Sequence, residues 1–170
     1  LESYASGLRH SPLLAFLTGL YREAVRERSP DFKNVRFWQI LEILAQTENY
    51  DRNEILFDFE NNQINVEGEV QRVRGGVNTV FRLFKQCGIG DSERTWRRVN
   101  IWFALRSAVA HHGSISNYNL LDRPNVRTWA KRGQDEIAAS NGHDSLLWEL
   151  KEDTKMILIG KVVAAGSAVG

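Results

Sequence analysis

The feature that most limits what this chain can become is a recurrence of apolar residues at three-to-four spacing. Leu13, Leu17, Leu20 and Ala24 follow it, with Leu14, Tyr21 and Val25 beside them, and predict an amphipathic helix over 12–28. Pro12 suits a first turn and Ser11 a cap. Ser29-Pro30-Asp31 breaks the pattern, and Phe37, Trp38, Leu41, Leu44 and Ala45 then predict a second helix over 31–46. Val70, Val73, Val77, Val80, Phe81 and Phe84 predict a third over 69–86, weakened by Gly75-Gly76 and stopped by Gly88 and Gly90. Asp91 or Ser92 can cap a fourth that runs to His112, with Gly113 at its end. Asp144 or Ser145 opens a last helix through Leu146, Leu147, Leu150, Ile157, Leu158 and Val162, and 164–170 is expected to fray.

Two stretches depart from this rhythm. In 47–69, Ile55, Phe57 and Phe59 alternate, as do Ile64 and Val66, with Asn61-Asn62 between them. A small hairpin and a polar insertion between helices fit that segment equally well. Residues 114–142 read as loop, with a short helix over 126–138 as the alternative. The class expected is all-α: a bundle of four to five helices with one short insertion after the second helix, as a single domain over 1–170.

Composition bounds the function. With 170 residues, 42% hydrophobic and 25% charged, the chain can build a core and is not disordered overall. Its one cysteine, Cys87, cannot close an internal disulfide, so a reducing, cytoplasmic setting is expected. No apolar run approaches the roughly 20 residues of a membrane helix, so no membrane partner is expected. No charged-then-apolar leader opens the chain, and its start at Leu1 is what a fragment of a longer protein would show. A Gly-rich phosphate loop, a zincin helix and a GxSxG elbow are all missing, which sets aside nucleotide-hydrolase and serine-hydrolase readings. Net charge is only +1, yet residues 70–112 carry eight Lys or Arg against Asp91 and Glu93, inside an acidic frame. Such a centre suits an anion site or a set of solvated helix faces.

The fourth helix carries the chemistry. It reads Trp96-Arg97-Arg98-Val99-Asn100-Ile101-Trp102-Phe103-Ala104-Leu105-Arg106-Ser107-Ala108-Val109-Ala110-His111-His112-Gly113. Polar groups inside so apolar a stretch need partners or a chemical role, and Arg106, Ser107 and His111 are those groups. Arg106 and His111 are separated by four residues, and His112 gives a second match one position later. Five helical positions rotate by about 140°, so the two side chains converge only if the helix ends near His111 and the arginine reaches over. The Gly113 stop allows this, and a histidine in the last turn lies at the negative end of the helix dipole, which favours its protonated form.

This arginine-to-histidine motif at the end of a bundle helix resembles that of the HEPN superfamily (higher eukaryotes and prokaryotes nucleotide-binding). Phe37-Trp38-Gln39-Ile40-Leu41-Glu42-Ile43-Leu44 also resembles the second-helix segment of its defence-associated members. The resemblance spans 10–160, with 47–69 as an insertion. It implies a metal-independent endoribonuclease of toxin or antiviral-defence type that cuts single-stranded RNA at a site shared across a homodimer. It further implies no cofactor, and regulation by an antitoxin or an upstream sensor domain. On this pattern His111 is the general acid or base, Arg106 holds the phosphate, and Ser107 orients the pair through its hydroxyl. The alternative within the same resemblance is a non-catalytic dimerisation or RNA-binding module.

Each of these residues also has a plainer reading. Arg106 could be tied to a carboxylate such as Glu42, His111 could cap free carbonyls, and His112 could be a solvated neighbour. Arg97 and Arg98, beside Arg94, either track an RNA backbone or form a solvated face. Asn100 is placed in the RNA site or a dimer contact. Phe37, Trp38, Trp96, Trp102 and Phe103 are core first and base-stacking platforms second. No metal is expected: a His-His site would need further ligands, and only His143 and Asp144 offer themselves.

Overall fold

The apolar spacing becomes helices whose ends follow the capping residues. The computed structural model describes residues 2–140 and 144–168, with Asp144 described in its backbone only. α1 spans Glu2–His10, and α2 spans Pro12–Arg26 with the Ser11 hydroxyl accepting the Leu14 N–H at 3.3 Å. α3, Pro30–Thr47, starts on Pro30 with Ser29 as its cap. α4 is Gly75–Cys87, closed by Gly88 in the left-handed region. α5 is Ser92–His112; the Asp91 carboxylate accepts the Arg94 N–H at 2.8 Å at one end, and Gly113 at φ 78° ends the other. A short 3₁₀ helix, Ile115–Leu120, leads to α6, Pro124–Ala139, and α7, Asp144–Ser167, follows.

α3 lies at the centre, against α2, α4, α5 and α7. Its Phe37, Trp38, Ile40, Leu41 and Leu44 are buried with Val80, Phe81 and Phe84 of α4, Val99 and Trp102 of α5, and Leu150, Ile157 and Val162 of α7. The second side of α5 is covered as well. Ile101, Leu105 and Val109 pack with Ile115 and Leu146, while Ala104 and Ala108 pack with Leu121 and Ala130. A helix buried on two sides needs apolar residues on both, and α5 supplies them between Val99 and Val109.

The all-α class stands, and four expectations are corrected. First, the described residues hold seven α-helices and one 3₁₀ helix rather than four or five helices. α1 carries a single Leu and was not legible from spacing; it is held by close contact of Gly7 with the Val162 backbone and of Gly166 with the Ser3 backbone. Second, the same contact keeps 164–167 helical instead of frayed. Third, the insertion continues past 69 to 74. Asn65–Val66 pairs antiparallel with Glu69–Val70, and bridges Phe57–Gln63 and Ile55–Arg72 join the flanking chain. The N–H of Val73 bonds the Glu54 carbonyl, and that of Leu56 bonds the Gln71 carbonyl. This pairing engages 69–73 in the insertion, so the third predicted helix starts at Gly75. Both Asn61 and Glu67-Gly68 turn with positive φ, so the hairpin alternative is realised twice over. Fourth, most of 114–140 is helix rather than loop, so the alternative of a helix over 126–138 is realised, and lengthened. The segment contains the 3₁₀ helix and the whole of α6, which reaches α5 because Gly133 has no side chain to strike Ile101 and Leu105.

Candidate functional site

One stripe of α5 is only partly covered by the neighbouring helices, with Ser107 buried and His111 exposed along it. Trp96, Asn100, Phe103, Ser107 and His111 follow one another at three or four positions, so they rise along a single helix face. The chain after α5 folds back over that face through Leu121, Asp122 and Arg123 into α6. Between the two runs a groove of about 510 Å³, lined by Phe103, Arg106, Ser107, His111 and His112 on one side and by 121–123 and Val126 on the other. Arg106 sits one position off the stripe and reaches in from its flank. The structure therefore brings Arg106, Ser107, His111 and His112 to one wall, as convergence at the helix end requires.

Their partners differ. One guanidinium nitrogen of Arg106, Nη2, lies 3.5 Å from Oε2 of Glu42 on α3, a pair with 31% and 19% of the side chains exposed. That single contact leaves most of the five N–H donors of the guanidinium available. The Ser107 hydroxyl donates to the Phe103 carbonyl at 2.8 Å, within its own helix, rather than to Arg106 or His111. His111 is exposed, its ring centroid 6.3 Å from that of half-buried His112. The C-terminal carbonyls are closed by other groups: Gly113 N–H bonds the Val109 carbonyl, and the Asn117 amide donates to the His112 carbonyl at 2.8 Å. Capping is thus done by Gly113 and Asn117, and the His111 imidazole is left facing solvent at the rim. α6 begins at Pro124 beside the groove, and the Asn125 side-chain oxygen accepts the Val126 N–H of its first turn at 2.8 Å.

Arg97 and Arg98 do not join this groove. Arg97 pairs with Glu136 of α6; Arg98 reaches Glu136 at 2.5 Å and Glu149 of α7 at 2.6 Å. Their guanidiniums are occupied in fastening α5 to α6 and α7, and the phosphate-tracking position expected of them is taken by structural carboxylates. Arg94 also reaches Glu149, at 3.5 Å. Asp153 adjoins this cluster. Burial pushes its carboxyl up to about 6, with Arg94 pulling it down and Glu149 pushing it up. Asn100 donates to the Trp96 carbonyl at 2.8 Å and lines a second groove, of about 410 Å³, between α5, α6 and the insertion. Among the described residues no three His, Cys, Asp or Glu side chains gather as a metal site; His143 and the Asp144 side chain lie outside them.

Sequence reasoning did not single out the far wall, Asp122 and Arg123, a short link between the 3₁₀ helix and α6 whose place over α5 is set by tertiary packing. It also missed the stripe, although the signal was present: polar or aromatic interruptions at 96, 100, 103, 107 and 111 in an otherwise apolar helix. Trp38 and Trp102 are fully buried core, whereas Trp96 and Phe103 are half-buried and line the grooves. No described helix is long and apolar enough to cross a membrane. Compared with known proteins, the chain matches no family model, no curated protein and no solved structure.

Proposed function

We propose that this is a HEPN-like, metal-independent endoribonuclease, acting on single-stranded RNA and completed by a second copy of the chain. The observation that carries the reading is the convergence of Arg106 and His111 on one open groove at the end of α5. In the reaction the RNA 2′-OH attacks the adjacent phosphorus. A 2′,3′-cyclic phosphate forms as the bond to the 5′-oxygen breaks. A rim imidazole takes the 2′-OH proton, and a second imidazole gives one to the leaving oxygen. Arg106 offsets the charge that gathers on the phosphoryl oxygens. A homodimer supplies paired histidines; within one chain His112 is the neighbouring imidazole. Ser107 is bonded inside its helix, so the reading assigns the chemistry to Arg106 and His111. A toxin or antiviral-defence role, with an antitoxin or sensor domain as regulator, accompanies this proposal.

The test is incubation of labelled single-stranded RNA with the protein in EDTA. Cleavage to cyclic-phosphate ends is expected, with loss in both Arg106→Ala and His111→Ala while thermal melts stay cooperative. A requirement for divalent metal, or cutting that survives both changes, overturns the assignment. The Arg106–Glu42 pair favours a second reading, a HEPN-like RNA-binding or dimerisation module without catalysis. RNA binding with no cleavage would select it.

A further inference from the structure

The groove at Arg106 does not end at Phe103. Phe103, Arg123 and Val126 line it and also line the 410 Å³ groove, so the two are continuous along the stripe of α5. The second groove differs in chemistry from the first. Its walls carry the half-buried indoles of Trp96 and Trp129, the Asn100 amide, and the guanidiniums of Arg74 and Arg132. Arg132 lies over the Trp129 ring with its guanidinium carbon 4.6 Å from the centroid. Arg74 and Arg132 form no ion pair among the described residues, unlike Arg94, Arg97, Arg98 and Arg106 on α5. The one carboxylate on its walls is Glu67, at the tip of the insertion.

Aromatic faces alternating with unpaired cations are what a flexible single strand uses: bases stack on the rings while phosphates meet the guanidiniums. Duplex nucleic acid hides its base faces and has no use for recessed indoles. We propose that this second groove is a base-stacking subsite, which seats the nucleotides flanking the Arg106 groove on one side. Trp129 is the platform, its ring uncovered as Arg132 turns from it to a phosphate, and Arg74 is the second phosphate contact. The insertion supplies Arg74 and closes the far wall, which gives it a function in binding. As a subsite for cleavage the inference rests on the ribonuclease reading, but its binding readout does not need cleavage.

The experiment measures binding of a fluorescent oligouridylate of about ten nucleotides to the full chain in EDTA across a salt series. Arg74→Gln with Arg132→Gln should weaken binding about tenfold and flatten the salt slope by about 1.4, near 0.7 per lost contact. Arg22→Gln with Arg26→Gln makes the same charge change on α2, away from the groove, and should alter affinity less than about twofold. Trp129→Leu, checked by thermal melting, should weaken binding about fivefold or more with the salt slope unchanged. The subsite is overturned if the wild-type chain does not bind the strand. It also falls if the Arg74 and Arg132 pair binds as wild type, or if the control pair weakens binding equally. The two readings fail separately. Binding that depends on the groove without any cleavage keeps the subsite and ends the ribonuclease; cleavage with groove-independent binding does the reverse.

Discussion

Glu42 should set how Arg106 presents itself. At 3.5 Å and an effective dielectric near 20, the gross attraction between the two charges is about 5 kcal/mol. Both side chains keep partial access to water and meet through one nitrogen–oxygen contact, so desolvation and screening reduce the net to about 1 kcal/mol. Glu42→Gln keeps an acceptor within reach of the guanidinium and removes the competing anion. It should lower stability by under about 1 kcal/mol, roughly 2–4 °C in melting temperature for a chain of this size. It should hold cleavage within about threefold and tighten RNA binding at low salt. Glu42→Ala loses the aim as well, and cleavage should fall about tenfold. Gly76 offers a third route. A Cβ there would lie 2.7 Å from Glu42 Oε1, the far end of a flexible side chain. Gly76→Ala should therefore displace the carboxylate while gaining up to about 1 kcal/mol of helix propensity, leaving stability near wild type. Its single-turnover cleavage in EDTA should match Glu42→Ala, not wild type. If Glu42→Ala and Gly76→Ala both cut at the wild-type rate with the fold intact, Glu42 does not position Arg106.

Single contacts elsewhere set further expectations. Ser107→Ala removes a bond to the Phe103 carbonyl, so it should cost under about 1 kcal/mol and leave cleavage within a few-fold; a loss as large as that of His111→Ala would restore the hydroxyl to the chemistry. The raised Asp153 carboxyl means the folded chain holds that proton more tightly than the unfolded one. Its stabilisation is complete below the unfolded value of about 4 and is lost as pH rises through about 6. Asp153→Asn should gain about 1 kcal/mol at pH 7, after discounting for solvent access, and nothing at pH 4, as read by urea unfolding. Gly133→Ala would put a Cβ 2.8 Å from Ile101 Cγ2; overpacking should outweigh the helix gain and destabilise by about 1 kcal/mol in thermal melts. Gly7→Ala meets the Val162 carbonyl, and should release α1, seen as faster amide exchange in α1 and the end of α7 without global unfolding.

What could be read from residues alone was whatever depends on neighbours in the chain. Ser11, Ser29, Asp91 and Gly113 cap helices where the sequence expects caps or breaks, because a cap is settled within a few residues. The motif helix and its end beside His111 were legible for the same reason. The α1 helix was not, and α6 was legible only as the shorter alternative over 126–138. Each is poor in large aliphatic residues, and each approaches another helix closely at a glycine. The start of α4 was misread because backbone pairing to Glu54 and Leu56, far back in the chain, claimed residues that spacing assigned to the helix.

The sequence by itself determined an all-α chain and one apolar helix carrying an arginine and a histidine near its end, since period and capping are local properties. Tertiary structure decided which of its arginines are bound to carboxylates and which stay open. Arg97 and Arg98 meet Glu136 and Glu149, and Arg106 meets Glu42, while Arg74 and Arg132 meet none among the described residues. Charge pairing is a matter of distance in space. Spacing along the chain does not encode it until α6 and α7 have packed on α5.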